Sequence, residues 1–287
     1  MRVKLWGTRG SIPSPGPATV RYGGNTSCVQ VTLSDGTLLV LDAGSGIRNM
    51  SLGDPARPIH ILLTHLHLDH IQGLLFFSPL FDSQMQITIW GPDAPGGSLQ
   101  DRIARYLSAP LTPVEVRELP CRLDFRDCPP SEWEIGPAHI RAEAVSHRGP
   151  TLGFRIDDAG ASLCYLPDHE PAFAGPLDQL EPPWLSGHAL AHGTDLLIHD
   201  CQYTDEEYPR HFGWGHSSLS DALTFARRAG ARRTLLTHHG PRHSDDELDA
   251  LQALARERCQ AGGGDPATIE MAAELAELQL SARASAP

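Results

Sequence analysis

The chain contains a short run of side chains that can bind metal ions, Thr64-His65-Leu66-His67-Leu68-Asp69-His70. Imidazole and carboxylate groups are the ligands that proteins offer to zinc, manganese and iron. The run follows the apolar segment Ile59 to Leu63, which is typical of a strand buried on both faces. On an extended segment His65, His67 and Asp69 project to one side. His70 then needs a turn to join them. The pattern therefore predicts a loop that leaves a strand and enters a helix, with its ligands aimed at one spot.

Three further apolar segments end close to a side chain of the same kind, at His147, Asp168 and His238. A single histidine at a strand end is more often structural than a ligand. Burying several imidazoles and carboxylates together without a cation is costly, however. The combined set of five histidines and two aspartates exceeds the four ligands of a tetrahedral zinc ion. It predicts a binuclear centre with a shared carboxylate and water, in which zinc is favoured and manganese or iron are alternatives. The predicted metal ligands are His65, His67, Asp69, His70, His147, Asp168 and His238.

The elements that must position these residues alternate between strands and helices. An apolar periodicity predicts a helix from Ser98 to Leu107, and another runs from Leu219 to Ala229 and stops at Gly230. A capping box at Ser244 predicts a third helix that ends near Gln260. The tail from Ile269 to Leu280 is ambiguous: its Ala, Glu and Leu content favours a helix, but the pattern does not decide its structure. The predicted strands are Val3 to Trp6, Cys28 to Leu33, Thr37 to Asp42, Ile59 to Leu63, Gln86 to Trp90, Ile135 to Val145, Thr151 to Ile156, Ala161 to Leu166, Leu196 to His199 and Arg233 to Thr237. This alternation predicts one α/β domain, residues 1–287, with helices covering the sheets.

Composition narrows the classes of function. The net charge of −12 disfavours an extended nucleic-acid surface, because such surfaces need clustered Lys and Arg. No apolar run approaches the roughly 20 residues that cross a membrane, and the N-terminal segment is too short in its apolar part for a signal peptide. The six cysteines form no Cys-x-x-Cys pair, so neither a thiolate zinc site nor a disulfide framework is indicated. We therefore expect a cytoplasmic protein without a membrane partner, and the sequence allows a homodimer.

The motif His-x-His-x-Asp-His after a buried strand, followed at a distance by His, Asp and His, resembles the metallo-β-lactamase superfamily. The resemblance extends from Leu5 to about His243. It implies an αββα sandwich of two mixed β-sheets flanked by helices. It also implies that His65, His67 and His147 hold one metal ion and that Asp69, His70 and His238 hold the other. Asp168 would bridge the two ions.

A second segment, Gly215-His216-Ser217-Ser218, resembles the His-Ser-Thr segment of the ribonuclease Z and cyclic phosphodiesterase branch. There the histidine supports general acid chemistry, so the resemblance implies that His216 protonates a leaving alkoxide. Asp200 could orient His216 or a ligand imidazole, although ribonuclease Z has Glu in its acidic motif. Asp42 is a candidate for the same supporting role. The alternative is that His216 packs near a helix start and that both aspartates are ordinary strand-end residues.

Together these features predict a metal-dependent hydrolase with Asp69, His216 and Asp200 as candidate catalytic residues. The expected substrate is a small or cyclic phosphodiester, attacked by a metal-bound hydroxide, because two divalent cations, two aspartates and one hydroxide leave a net charge of about +1. One alternative is tRNA 3′ processing, which the acidic stretch between Asp168 and His216 disfavours. Others are hydrolysis of a lactone, a thioester or a β-lactam. A metal-dependent ligand-binding or sensor module is the alternative outside enzymes.

Overall fold

The computed structural model describes residues 1–50, 57–172 and 175–282. Two sheets dominate this part of the chain. Their strands are β1 (Arg2–Gly7), β2 (Cys28–Thr32), β3 (Leu38–Leu41), β4 (Ile59–Leu62), β5 (Gln86–Pro92), β6 (Arg122–Cys128), β7 (Ser131–Ile135), β8 (Ala138–Ala144), β9 (Leu152–Asp158), β10 (Ala161–Leu166), β11 (Leu196–Asp200), β12 (Thr234–Thr237), β13 (Ile269–Met271) and β14 (Glu277–Gln279).

Each sheet has seven strands and is mixed. The first has the order β14-β1-β2-β3-β4-β5-β6, and the second has the order β13-β12-β11-β10-β9-β8-β7. In the first sheet the pairs from β3 to β6 are parallel and the others are antiparallel. In the second sheet the pairs from β10 to β13 are parallel and the others are antiparallel. The carboxyl ends of β10, β11 and β12 therefore meet at one edge, where open parallel sheets usually bind their ligands.

The sheets are apolar on both faces because each packs between the other sheet and a layer of helices. Alternation along β3 shows this: Leu39 and Leu41 pack between the sheets, whereas Leu38 and Val40 face the outer layer. The outer layers are formed by α1 (Leu68–Ile71) and α2 (Leu99–Tyr106) on the first sheet and by α3 (His188–Ala191), α4 (Leu219–Ala229) and α5 (Asp245–Ala261) on the second. The predicted αββα arrangement of two mixed sheets flanked by helices is confirmed.

The ends of the long helices follow from local sequence. Ser218 caps α4 by accepting a hydrogen bond from the backbone of Asp221, and the helix ends at Gly230, which has φ of +65°. Ser244 and Glu247 form the predicted capping box at the start of α5. The capped start of α4 at Ser218 fixes the position of the preceding segment, which contains His216.

The structure adds to or differs from the sequence analysis in three places. The tail from Ile269 to Leu280 forms no helix in the described residues but two short strands, β13 and β14, one on each sheet. The run Ile135 to Val145 is interrupted, because Gly136 at φ of +55° makes a turn between β7 and β8. Strand β6 was not predicted. In the tail, pairing with β1 and β12, which lie far along the chain, outweighs local propensity.

Candidate metal centre

The predicted metal-capable side chains come together at the carboxyl ends of β4, β8, β10 and β12. The chain leaves β4 at Leu62 and bends at Thr64, and His67, whose backbone is extended, is the N-cap of α1. The helical turn of α1 then brings Asp69 and His70 to the side of the histidines that precede them. His147, Asp168 and His238 each lie within three residues of the end of their strand. The predicted loop from strand to helix is therefore present.

Three imidazole nitrogens form a first group. His67 Nδ1 lies 2.9 Å from His65 Nε2 and 3.3 Å from His147 Nε2. The other nitrogen of each flanking ring has an acceptor: His147 Nδ1 donates to the Gly215 carbonyl at 2.7 Å, and His65 Nδ1 lies 3.0 Å from Thr64 Oγ1. These acceptors place the ring protons on Nδ1 and leave the Nε2 lone pairs facing His67. Three converging lone pairs suit a cation that accepts all of them.

Two carboxylates and two imidazoles form a second group. His70 Nε2 lies 3.3 Å from Asp69 Oδ2 and 3.0 Å from Asp168 Oδ2. His238 Nε2 lies 3.2 and 3.3 Å from the same two oxygens. Among the described residues, His70 Nε2 and Asp168 Oδ2 are buried and have no hydrogen-bond partner. Buried polar atoms without partners are costly, and a divalent ion would satisfy these atoms.

Asp168 faces both groups. Its Oδ1 atom lies 3.8 Å from His65 Nε2 and 3.6 Å from His147 Nε2, on the side of the first group. Its Oδ2 atom belongs to the second group. The side chain is only 2 % exposed, so the carboxylate is held between the two groups rather than in solvent. The donor set thus fits two ions that share one carboxylate.

The electrostatics of the two groups differ. Burial lowers the pKa of His65 and of His147, which keeps both rings neutral, the form that binds metal. Burial opposes ionisation of Asp168, but the neighbouring His238 and His70 rings outweigh it and hold the pKa of that carboxyl well below its usual value. Burial likewise opposes protonation of His238, but Asp168 and Asp69 raise the pKa of that ring. The second group is therefore an anionic environment that favours positive charge.

Asp42 is the buried support of this centre, as the sequence suggested. Its Oδ2 atom lies 2.8 Å from His70 Nδ1 and accepts a hydrogen bond from the Tyr165 hydroxyl at 3.0 Å. Its Oδ1 atom accepts from the Thr64 backbone at 2.7 Å, and the Thr64 hydroxyl also donates to this carboxylate. Asp42 has φ of +58° and His238 has φ of +59°, a conformation that costs non-glycine residues of order 1–3 kcal/mol. This strain lies at residues that the site requires.

His216 and Asp200 form a close pair beside the centre. Asp200 Oδ2 lies 2.6 Å from His216 Nδ1, and its Oδ1 accepts from the backbones of Gln202 and Ser217. His216 Nδ1 is 3.9 Å from Asp168 Oδ1, and the His216 ring centroid is 4.9 Å from that of His147. Because Asp200 occupies Nδ1, Nε2 is the ring nitrogen that remains for a substrate. The pair therefore lies directly against both groups of metal-capable side chains.

The neighbouring histidines lie elsewhere. His169 Nδ1 is 2.9 Å from His199 Nε2, and His239 Nε2 is 2.7 Å from the Ala272 carbonyl. Among the described residues, neither belongs to a group of side chains that could hold a metal ion. Their rings act in the packing of the second sheet and of the tail.

Sequence reasoning missed a buried support at Glu170. Its carboxylate accepts hydrogen bonds from the backbones of Gly213 and Gly215, at 2.8 and 2.7 Å, and from the Tyr208 hydroxyl at 2.8 Å. Glu170 is 1 % exposed and its backbone donates to Ser146. It thus fixes the loop whose Gly215 carbonyl orients His147. Its position two residues after Asp168 was the only signal in the sequence.

A cleft of 290 Å³ opens beside the first group. Its floor includes His65 and His67, and its remaining lining comes from Leu66 between them, from the end of β5 and the loop after it, from α2, and from the loop after His147. These other residues are Leu66, Pro92, Ala94, Pro95, Arg102, Arg148, Gly149 and Pro150. The cleft gives a substrate access to the histidines.

Comparison with known proteins decides the family. A family model described as a beta-lactamase superfamily domain matches residues 37–239, which is most of the chain. The chain belongs to the beta-lactamase superfamily. Among its members, a protein named ribonuclease Z from Mycobacterium sp. (strain KMS) is 30% identical over 274 residues, covering 84% of this chain and 85% of that relative.

Solved structures of the superfamily have the same fold. Human tRNase Z, short form, is 23% identical, covers 98% of this chain and 99% of its own, and has a TM-score of 0.68. The metallo-beta-lactamase fold protein YhfI from Bacillus subtilis is 20% identical, covers 97% and 99%, and has a TM-score of 0.69. At these identities the likeness shows the fold alone.

The similarity to proteins named ribonuclease Z confirms the prediction that the chain is a metal-dependent hydrolase, and the His/Asp groups at its site suit divalent metal ions. Within residues 1–50, 57–172 and 175–282, every helix is too short or too polar to cross a bilayer.

Proposed function

We propose that the chain is a phosphodiesterase that acts on a small or cyclic phosphodiester, with two zinc ions and with His216 as general acid. The observation that carries this proposal is the His216–Asp200 pair, 2.6 Å apart, placed beside two ligand groups that share Asp168. A phosphodiester needs both parts, because its alkoxide leaving group requires a proton while negative charge develops on the phosphoryl oxygens.

The ligand assignment follows the two groups of donor atoms. His65, His67 and His147 would hold one ion. Asp69, His70 and His238 would hold the other, and Asp168, whose two oxygens face the two groups, would be shared between them. Imidazole with carboxylate favours zinc, and manganese or iron remain alternatives for the same donors. When bound, the two ions supply an activated water at neutral pH and a positive site for phosphoryl oxygens.

The protein's own residues perform the remaining tasks. Asp42 and the Gly215 carbonyl orient His70 and His147 through their Nδ1 atoms. The Ser11 backbone donates to Asp69 Oδ2 at 2.8 Å and holds that carboxylate at the centre. Asp200 keeps a proton on His216 Nδ1 and fixes the plane of the ring, so that His216 Nε2 can deliver a proton to the leaving oxygen.

The proposal is tested with purified protein loaded with zinc or manganese. We expect hydrolysis of bis(p-nitrophenyl) phosphate, and we expect His216→Ala to lower kcat by about 10²–10⁴ while metal content is unchanged. The same protein is screened against cyclic nucleotides, lactones and thioesters. A preparation with both ions bound and no activity on any diester contradicts the proposal. Tight ligand binding without turnover would instead support a sensor module.

A second candidate, tRNA 3′ processing, is favoured by one observation, the similarity of the chain to proteins named ribonuclease Z. The charge of the chain opposes it: the net charge is −12, and residues 175–215 contain acidic side chains such as Glu181, Asp205 and Glu207. In a gel shift with precursor tRNA we expect no binding that weakens with salt. Salt-sensitive binding, together with cleavage at the 3′ end, would favour this second candidate.

A further inference from the structure

The cleft beside the first histidine group contains two arginines with different surroundings. The guanidinium of Arg102 is already bound within the protein: it donates to Asp127 and to the Pro92 carbonyl, both at 2.7 Å, and the side chain is 9 % exposed. Arg148 is exposed, and only its Nε atom has a partner, the Gly213 carbonyl at 3.2 Å. Among the described residues, no carboxylate pairs with Arg148. Its two terminal amino groups are therefore available to a ligand.

The position of Arg148 ties it to the metal centre. It directly follows His147, whose Nε2 faces His67 and Asp168. Its Nε contact to Gly213 directs the guanidinium along the loop that Glu170 fixes through Gly213 and Gly215. A guanidinium held in this way can donate bidentate hydrogen bonds from its two terminal amino groups to two oxygens of a phosphate.

The other walls of the cleft are apolar. Pro92, Pro95 and Pro150 have no backbone N–H group, and Ala94 and Leu66 add no polar side chain. Such walls suit a ring rather than a second hydrogen-bonding group. The chain has a net charge of −12, but the unpaired arginine gives this surface a local positive charge. The cleft therefore combines one cation with an apolar surface, next to the site of reaction.

We propose that Arg148 is a specificity-determining residue that binds a second phosphate of the substrate, apart from the phosphoryl group that reacts. The preferred substrate is then a nucleotide-like phosphodiester that carries an additional phosphate group. The ring of this substrate would pack against the three prolines of the cleft. Its second phosphate would form an ion pair with the Arg148 guanidinium. This inference rests on the proposed phosphodiesterase function.

The test uses two substrates that differ in one group: thymidine 5′-(p-nitrophenyl phosphate) and the same ester with a 3′-phosphate. Both release p-nitrophenolate. For the zinc-loaded protein we expect a lower KM for the 3′-phosphorylated ester. Arg148→Ala should raise that KM about tenfold, as expected for the loss of a charge-assisted contact. It should change the KM of the other ester less than twofold.

Matched variants separate binding from folding. Arg148→Lys keeps the positive charge but loses the bidentate geometry of the guanidinium. It should therefore retain part of the preference for the 3′-phosphorylated ester. Arg227→Ala, at an exposed arginine of α4 outside the cleft, should leave both KM values unchanged. Zinc content and kcat should be the same in all variants. The preference for the 3′-phosphate should also weaken as ionic strength rises.

Two results would overturn the inference, and they differ. If both esters are hydrolysed and Arg148→Ala changes their KM values equally or not at all, the assignment of Arg148 is wrong while the phosphodiesterase function stands. If the zinc-loaded protein hydrolyses neither ester nor any other diester, the proposed function fails and this inference fails with it.

Discussion

The pairing of Asp200 with His216 leads to a quantitative prediction about proton transfer. Asp200→Asn is nearly isosteric, and its remaining oxygen can keep the hydrogen bonds from the Gln202 and Ser217 backbones. It removes the charged acceptor 2.6 Å from His216 Nδ1, an oxygen that also accepts a hydrogen bond from the His169 backbone at 3.2 Å. The variant therefore tests the role of the charge with little change in packing.

The size of the effect follows from that contact. A hydrogen bond to a charged group contributes about 1.5–3 kcal/mol, so kcat should fall by a factor of about 10 to 100. His216→Ala should cost about 3–5 kcal/mol of transition-state stabilisation. If Asp200 acts through His216, the double variant should be about as slow as His216→Ala alone. Independent roles would instead multiply the two losses.

The assay measures kcat for bis(p-nitrophenyl) phosphate in the two single variants and the double variant, with zinc content determined for each. Asp178→Asn, at an exposed aspartate of the same region, serves as the control and should be unchanged. A double variant slower by the product of the single effects would refute the reasoning, and so would Asp200→Asn with unaltered kcat.

Four further predictions concern the centre and its supports. Chelation should abolish activity, and zinc should restore it and stabilise the fold by about 4 kcal/mol at free zinc of 1,000 times Kd, as measured by thermal unfolding. Asp42→Ala should lower zinc affinity about 10- to 100-fold in a competition titration, because His70 loses its Nδ1 acceptor. Gly215→Ala should reduce zinc binding in the same titration, since φ is +90° and an added Cβ would lie 2.4 Å from His147 Nδ1; normal affinity would contradict this. Burial lowers the pKa of His199 to about 4, so its contribution to stability is complete above about pH 6.5 and is lost as pH falls towards 4. In urea unfolding of the metal-free protein, the loss of stability between pH 7 and pH 5 should therefore be about 2 kcal/mol smaller for His199→Gln than for the unchanged chain.

The metal-capable side chains could be found from the sequence because their signals are local. His65, His67 and His70 are close in the chain, and the apolar runs before His147 and His238 predict the strands that deliver them. Parallel strands end at a common edge, so convergence follows from the order of elements.

The supports of the site could not be found in this way. Tyr165 reaches Asp42 from a strand 123 positions along the chain, and nothing in its surrounding sequence differs from an ordinary core tyrosine. Arg148 and Glu170 gain their roles only when the loop at Gly213 lies between them. The short tail strands were missed for the same reason, because their Ala, Glu and Leu content favours a helix and only pairing partners far along the chain make them strands.

The tail also determines how the sheets end. Strand β14 pairs along β1 in the first sheet, and β13 pairs along β12 in the second, so one segment of about ten residues covers an edge of each sheet. An uncovered strand edge offers free N–H and C=O groups to other chains. Loss of this segment would leave β1 and β12 open on the same molecule. Because β13 and β14 are only three residues long, the edges they present are shorter than those of β1 and β12, and short edge strands limit pairing with other chains.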